Sequence, residues 1–245
     1  MALDPALDEA WNVVGIARLL SWEFAAAHDA ITRALELNPR LAHAQSARAS
    51  AFMLEGRYED ALAPALRSVE LDPLAPLWGL FLMCIQLGLG RYDDAEARAT
   101  EALKFEAPNW TAHWIRGLVR VTHDDFPAAI GAFEEAVRNS GRNPRPLGTL
   151  IHALARSGDR AGAERELAAL EDTASQRFVP QLALATAYTG LGDFDRAFAA
   201  LDRSFEEKDN WLRLAWWNPA LFALRADRRM SELMKRIGLE RATTN

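Results

Sequence analysis

The fold this sequence predicts is all-α: a right-handed superhelical solenoid of six helix pairs, closed by a C-terminal capping helix. Three observations predict it. The turn "GRYEDA" at Gly56–Ala61 returns as "GRYDDA" at Gly90–Ala95, 34 residues later. That step runs through the chain, since Ala27, Ala61, Ala95, Ala129, Ala163 and Ala197 close six such turns, each 34 residues from the last without an insertion. Each turn also lies between two stretches whose apolar residues recur every three or four positions, the spacing of one helix face. A unit of that kind cannot bury its apolar stripe alone and does so by stacking on its neighbours.

The units follow in order. The first has "LDEAWNVVGIARLL" as its leading helix, "WEFAAA" (Trp22–Ala27) as its turn and "AAHDAITRALEL" as its second helix. "LNP" at Leu37–Pro39 ends that helix and "LDP" at Leu71–Pro73 ends its counterpart one unit on, because proline lacks the N–H that would continue the ladder. Pro64 falls inside "ALAPALRSVEL", close to the helix start and on its outer face, where it removes one hydrogen bond without ending the helix. The third unit opens with "LAPLWGLFLMCIQLGLG" (Leu74–Gly90), the longest nearly uncharged stretch. It is short for a membrane span and interrupted by Pro76 and Gly79, so it reads as a buried helix with a glycine stop. In the fourth unit "DDFPAA" (Asp124–Ala129) puts Pro127 in the first turn of a helix, where its missing N–H is not needed. "GDRAGA" (Gly158–Ala163) and "GDFDRA" (Gly192–Ala197) are the turns of the last two units. The small residue closing each turn lets paired helices approach to about 8–10 Å, and alanine does this without the helix cost of glycine, about 1 kcal/mol.

Residue by residue, this pattern resembles the tetratricopeptide repeat. Trp11, Gly15, Ala27, Ile31, Ala34 and Pro39 match the family's signature in the first repeat, and Leu184, Ala185, Tyr188, Ala197 and Leu201 match it in the last. Four residues depart from it. Arg48 and Arg116 stand where leucine is usual, and Met83 and Ile151 stand where the family has a small residue, so the helix pairs of the third and fifth repeats are expected to pack less closely.

The resemblance also implies a binding groove lined by the first helix of each pair. The candidate partner-binding residues are then Asn12, Ile16 and Leu19 in the first repeat, and Leu80, Cys84 and Leu87 in the third. Trp114, Leu118 and Val121 follow in the fourth, and His152 and Arg156 in the fifth. The middle of this set is apolar and suits an extended or helical peptide with hydrophobic anchors, Trp114 being an anchor of the hot-spot kind unless it is core. The Lys, Asn and Arg clamp by which family members hold acidic chaperone tails is represented only by Asn12 and Arg156, far apart, so such tails are not expected.

The two ends differ. "ALDP" at Ala2–Pro5 is in phase with Pro39 and Pro73 and reads as the close of a preceding repeat, which suggests a portion of a longer polypeptide with an uncapped N-terminal face. That face could pair with a second copy to form a homodimer. At the other end, Trp211, Asn218, Pro219, Leu221, Leu224, Arg225, Asp227 and Gly238-Leu239 resemble the close of bacterial signalling proteins. In that class repeats follow a nucleotide cyclase, a serine/threonine kinase or a winged-helix DNA-binding domain. Trp211, Trp216 and Trp217 are expected to cover the last helix pair, and Asp227 to cap a helix whose Met230, Leu233, Met234 and Ile237 form one apolar face. The expected organisation is a repeat remnant over 1–7, six repeats over 8–210, a tryptophan-rich turn and capping helix over 211–239, and a disordered tail over 240–245.

Chemistry finds no foothold. A net charge of −6 and a pI near 5.5 argue against direct nucleic-acid binding, whose phosphates call for basic patches. No basic segment leads into an apolar one at the N-terminus, so no signal peptide is read there, and a single cysteine gives no sign of an oxidising compartment. A cytoplasmic location is expected, without membrane association. The five histidines (His28, His43, His113, His123, His152) lack metal-site spacing, so neither metal nor cofactor is expected. Asp124 and Asp125 sit in a turn where other repeats use Gly-Asp or Gly-Arg, which is turn chemistry rather than acid–base chemistry. The expected function is a non-catalytic protein–protein interaction scaffold. A self-association module and a groove that senses a peptide or small ligand are the alternatives.

Overall fold

A computed structural model describes residues 7–239. What the sequence suggests for residues 1–6 and 240–245 lies outside the described residues. Among the described residues the structure is all-helical, with no strand. Twelve α-helices follow in the order that six two-helix repeats require: α1 (Asp8–Leu20) and α2 (Phe24–Leu37), α3 (Ala42–Leu54) and α4 (Tyr58–Leu71), and α5 (Pro76–Gly88) and α6 (Tyr92–Phe105). The series continues with α7 (Trp110–Thr122) and α8 (Phe126–Asn139), α9 (Pro144–Ser157) and α10 (Arg160–Gln176), and α11 (Gln181–Leu191) and α12 (Phe194–Glu206). Two 3-10 turns, Asn210–Leu214 and Pro219–Leu224, then lead to α13 (Arg228–Arg236).

The turn within each pair has one backbone solution. Its pivot, the fifteenth residue of every repeat, is left-handed: Gly56, Gly90, Gly158 and Gly192 have φ of 72, 70, 98 and 77°. Glycine adopts that region freely, whereas an L side chain is strained there. Trp22 (φ 63°) and Asp124 (φ 54°) take the same conformation without glycine. The next residue is the N-cap of the second helix. Asp125, Asp159 and Asp193 each accept a hydrogen bond from an N–H of the following turn, which satisfies a donor the helix cannot. Glu23, Arg57 and Arg91 make no such side-chain cap in the first three repeats.

The chain divides into two compact units at Gly90, inside the third repeat, the one whose small position holds Met83. In the first unit α1 and α2 pack so closely that a Cβ on Gly15 would lie 2.5 Å from Ile31 Cγ1, while Ala27, Ile31 and Ala34 are fully buried. Ala49, Ala61 and Ala65 serve α3 and α4 in the same way. α4 continues through Pro64 as expected. Arg48, in the leucine position, donates to Thr32 Oγ1 at 3.3 Å and so reaches back to the preceding second helix. α5 is buried along Leu82–Leu87 and ends at Gly88, where any Cβ would meet the Tyr58 ring.

In the second unit Arg116 and Arg120 both turn to Glu96 on α6, which explains the second arginine in a leucine position. α7 and α8 pack through Gly117, whose Cβ would lie 2.3 Å from the fully buried Phe133 ring. α9 and α10 are less closely paired than α7 and α8, in line with the bulk of Ile151. α9 instead lies tight against α11. A Cβ on Gly148 would stand 2.4 Å from the Ala183 carbonyl oxygen, and one on Gly190 would stand 2.4 Å from His152 Cα. α13 packs on α12, with Arg229 on Asp195 at 2.8 Å and over the Phe198 ring at 4.2 Å. Asp227 caps α13 by accepting from Arg229 N at 2.9 Å, and Met230, Leu233, Met234 and Ile237 are buried beneath it.

Candidate functional site

The candidate residues of the first unit are nearly all inside. Asn12, Leu19, Leu80, Cys84 and Leu87 are buried, and only Ile16, at 36 % exposure, faces solvent. Asn12 Oδ1 is buried without a hydrogen-bond partner. In the second unit Trp114 is 2 % exposed, and Leu118, Val121 and His152 are buried with it. Arg156 is exposed and lies 5.4 Å from the centre of the Phe126 ring.

The cover over Trp114 comes from the segment that follows the sixth repeat. The second 3-10 turn lies against α11, α7 and α9, the first helices of three repeats. Trp211 meets Trp114 edge to face with ring centroids 6.1 Å apart, and the Arg145 guanidinium of α9 stacks 3.7 Å from the centre of the Trp211 ring. Arrangements of both kinds add attraction beyond simple burial. Leu212, Trp217, Leu221 and Leu224 are buried in the same place. The tryptophans therefore line the face of repeats four to six rather than closing the last pair alone. α13 covers α12.

Local chemistry holds that segment in shape. Asp209 and Asn218 begin the two 3-10 turns with the same backbone angles, φ −66° and ψ 115°. Each accepts from the N–H two residues on, Asp209 from Trp211 at 2.9 Å and Asn218 from Ala220 at 3.1 Å. Pro219 follows Asn218 at the first helical position, where its fixed φ is already correct. Arg225 reaches back to donate to the Trp216 carbonyl and stacks 3.5 Å from the centre of the Phe222 ring. The buried Arg213 donates to the Ile237 carbonyl and so ties the turns to α13.

The fit leaves gaps. A cavity of about 20 Å³ remains among Trp114, Thr149, Leu182, Trp211 and Trp217, room for one water but not for a small-molecule ligand. The indole N–H groups of Trp114 and Trp217 are buried without a partner, each a cost of about 1–3 kcal/mol. Burial, with help from the Arg156 charge, pushes the His152 imidazole down to about 4 although a hydrogen bond to the Thr186 backbone opposes it, and its Nδ1 has no partner.

His28 pairs with Glu55 at 2.8 Å and His113 bonds the Ala107 carbonyl at 3.1 Å. Asp124 and Asp125 are the pivot and cap already described. Among the described residues no group of three or more His, Cys, Asp and Glu side chains is placed to hold a metal ion, and no helix is long and apolar enough to cross a membrane.

A family profile described as tetratricopeptide repeat matches residues 23–76 and 84–144. Those two stretches carry tetratricopeptide repeats. Solved structures agree in fold. A pilF protein of Pseudomonas aeruginosa is 18% identical and superposes with a TM-score of 0.60 over 84% of this chain and 94% of its own. The Cut9–Hcn1 hetero-tetramer of the APC/C gives a TM-score of 0.64 at 19% identity, over 95% of this chain and 43% of that one. A tetratricopeptide repeat protein from Parabacteroides merdae gives 0.56 at 15% identity, over 97% and 99%. At such identities the likeness is one of fold. No curated protein sequence matches the chain.

Sequence reasoning missed Arg145 and Leu212, and it named Leu221 and Leu224 only as motif positions, not as cover for this face. The signal was present in the density of tryptophan and leucine from Trp211 to Leu224, which is too apolar to stay in water, but that density does not say which face the segment covers.

Proposed function

We infer that this chain is a non-catalytic interaction scaffold whose tetratricopeptide repeats hold a protein or peptide partner. The observation that carries the reading is the apolar surface left on the first helices of the first unit. Ile16 and Leu20 on α1 are 36 % and 61 % exposed, and Leu77 on α5 is 47 % exposed, all on first helices, to which the family resemblance assigns the binding groove. The resemblance of Trp211, Asn218, Pro219, Leu224 and Asp227 to the close of bacterial signalling proteins supports a regulatory setting in the cytoplasm, next to an effector domain.

The test places a photo-cross-linking residue at Ile16 or Leu77 and, as a control, at the exposed Glu70 of α4. A protein adduct formed from the first two positions and not from Glu70 supports the scaffold. Equal yields from all three would remove it.

Self-association is a second reading, favoured by one observation. Val13 is 64 % exposed on α1, and with Leu20 it forms an apolar edge that a second copy could cover. Sedimentation over a range of concentrations tests it. A mass that rises with concentration and falls back in Val13→Glu supports the dimer, and a constant monomer mass ends it.

A further inference from the structure

We propose that segment 209–225 is a ligand held in cis: it occupies a peptide-binding wall on the first helices of repeats four to six, and a partner peptide with an aromatic anchor flanked by acidic residues competes for that wall. The proposal rests on the scaffold reading above and assigns it a second surface, closed in this structure by the chain itself.

Four features separate the segment from the repeats it covers. It follows α12, outside the 34-residue period, and returns across α11, α9 and α7. Its backbone is set by its own caps at Asp209 and Asn218 rather than by pairing with another helix, so it arrives preorganised as a good peptide ligand does. Its anchor is an indole held between a second indole and a guanidinium, the residue types that dominate binding hot spots. The hinge into it is Lys208, which takes a left-handed φ of 52° immediately after α12.

The chemistry of the competitor follows from the groups that the wall offers. On the wall itself, Trp114 keeps an indole N–H without an acceptor, beside a cavity that the segment fails to fill. Arg145 supplies a positive charge at the same place. A wall offering an N–H donor, an aromatic face and a cation favours an aromatic side chain next to carboxylates. The segment's own "EEKDNW", Glu206–Trp211, has that composition.

The probe is a fluorescent synthetic peptide with the sequence of residues 206–225, titrated into the chain of residues 1–245 and followed by anisotropy. Trp211→Ala should empty the wall and bind the peptide at least tenfold more tightly than the wild type. Adding Trp114→Ala to that variant should abolish the gain. If Trp211→Ala binds no better than the wild type, the proposal fails. Hydrogen exchange on the wild-type chain gives an independent reading that no substitution can disturb. Amides of 210–224 should exchange at least tenfold faster than those of α7 and α11. Exchange of the segment only together with α11 would make it core and overturn the proposal. Cross-linking from Ile16 does not involve this wall, so an adduct there alongside a failed titration would leave the scaffold standing without this surface.

Discussion

Trp114 of the fourth repeat and Trp211 of the C-terminal segment meet edge to face, 6.1 Å between ring centroids, with Arg145 stacked on the far partner. One aromatic pair thus joins the periodic part of the chain to the part that has no period. It also makes Trp114 a buried residue whatever else it does.

Trp114→Ala should therefore lower stability by about 3–5 kcal/mol, the range for truncating a buried aromatic. Trp211→Ala, at a partly exposed residue, should cost less. The double mutant should fall short of additivity by about 0.5–1.5 kcal/mol, the coupling of an aromatic pair. Urea unfolding of the four chains measures all three quantities. Strict additivity would mean that the rings are neighbours without interaction.

The helices were legible because one physical rule repeats. Small residues at Gly15 and Gly117 face the second helix of their own repeat, and Pro39 and Pro73 follow the ends of α2 and α4. Ile151 was legible as an exception for the same reason. The binding wall was not legible, because assigning Leu118 or Val121 to a groove assumes that nothing else covers it. The return of the Pro219–Leu224 turn to α7 is a contact between a non-repeating segment and a distant repeat, and periodicity carries no information about such a contact. Gly148 and Gly190 were the available hint. Glycine at those two positions marks a place where α9 and α11 meet backbone to backbone.

His152 gives a pH signature. Its folded value of about 4 lies below the ordinary 6.5, so the unfolded chain takes up the proton first. Its contribution is complete above about pH 6.5 and is lost as the pH falls toward about 4, up to about 3 kcal/mol in all. Carboxylates also lose stability in acid, so the comparison is with His152→Gln. The stability difference between the two chains should shrink from pH 7 to pH 4. A constant difference would mean that His152 titrates normally.

The repeated pivot predicts opposite effects at two of its copies. Gly158→Ala forces a Cβ into φ 98° and should destabilise by about 1–2 kcal/mol. Asp124→Gly relieves the same strain at φ 54° but loosens the unfolded chain, leaving a net gain of about 0.5 kcal/mol. Thermal melts of the two variants should move in opposite directions from the wild type.

Three glycines inside helices complete the test, because each meets a different neighbour. Gly131 lies on the exposed side of α8 with nothing within 4 Å of a Cβ, so Gly131→Ala gains helix propensity and should stabilise by about 0.5–1 kcal/mol. Gly117→Ala drives a methyl to 2.3 Å from the Phe133 ring, which is fully buried and can shift only by disturbing α8, so a loss of about 1–3 kcal/mol is expected. Gly148→Ala meets the Ala183 carbonyl oxygen at 2.4 Å. Backbone cannot rotate away as a side chain can, so α9 and α11 must separate, and this variant should be the least stable of the three. Denaturant midpoints should rank Gly131→Ala above the wild type, then Gly117→Ala, then Gly148→Ala. If Gly148→Ala were no worse than Gly117→Ala, the close approach of α9 and α11 would not be what holds the face on which Trp211 rests.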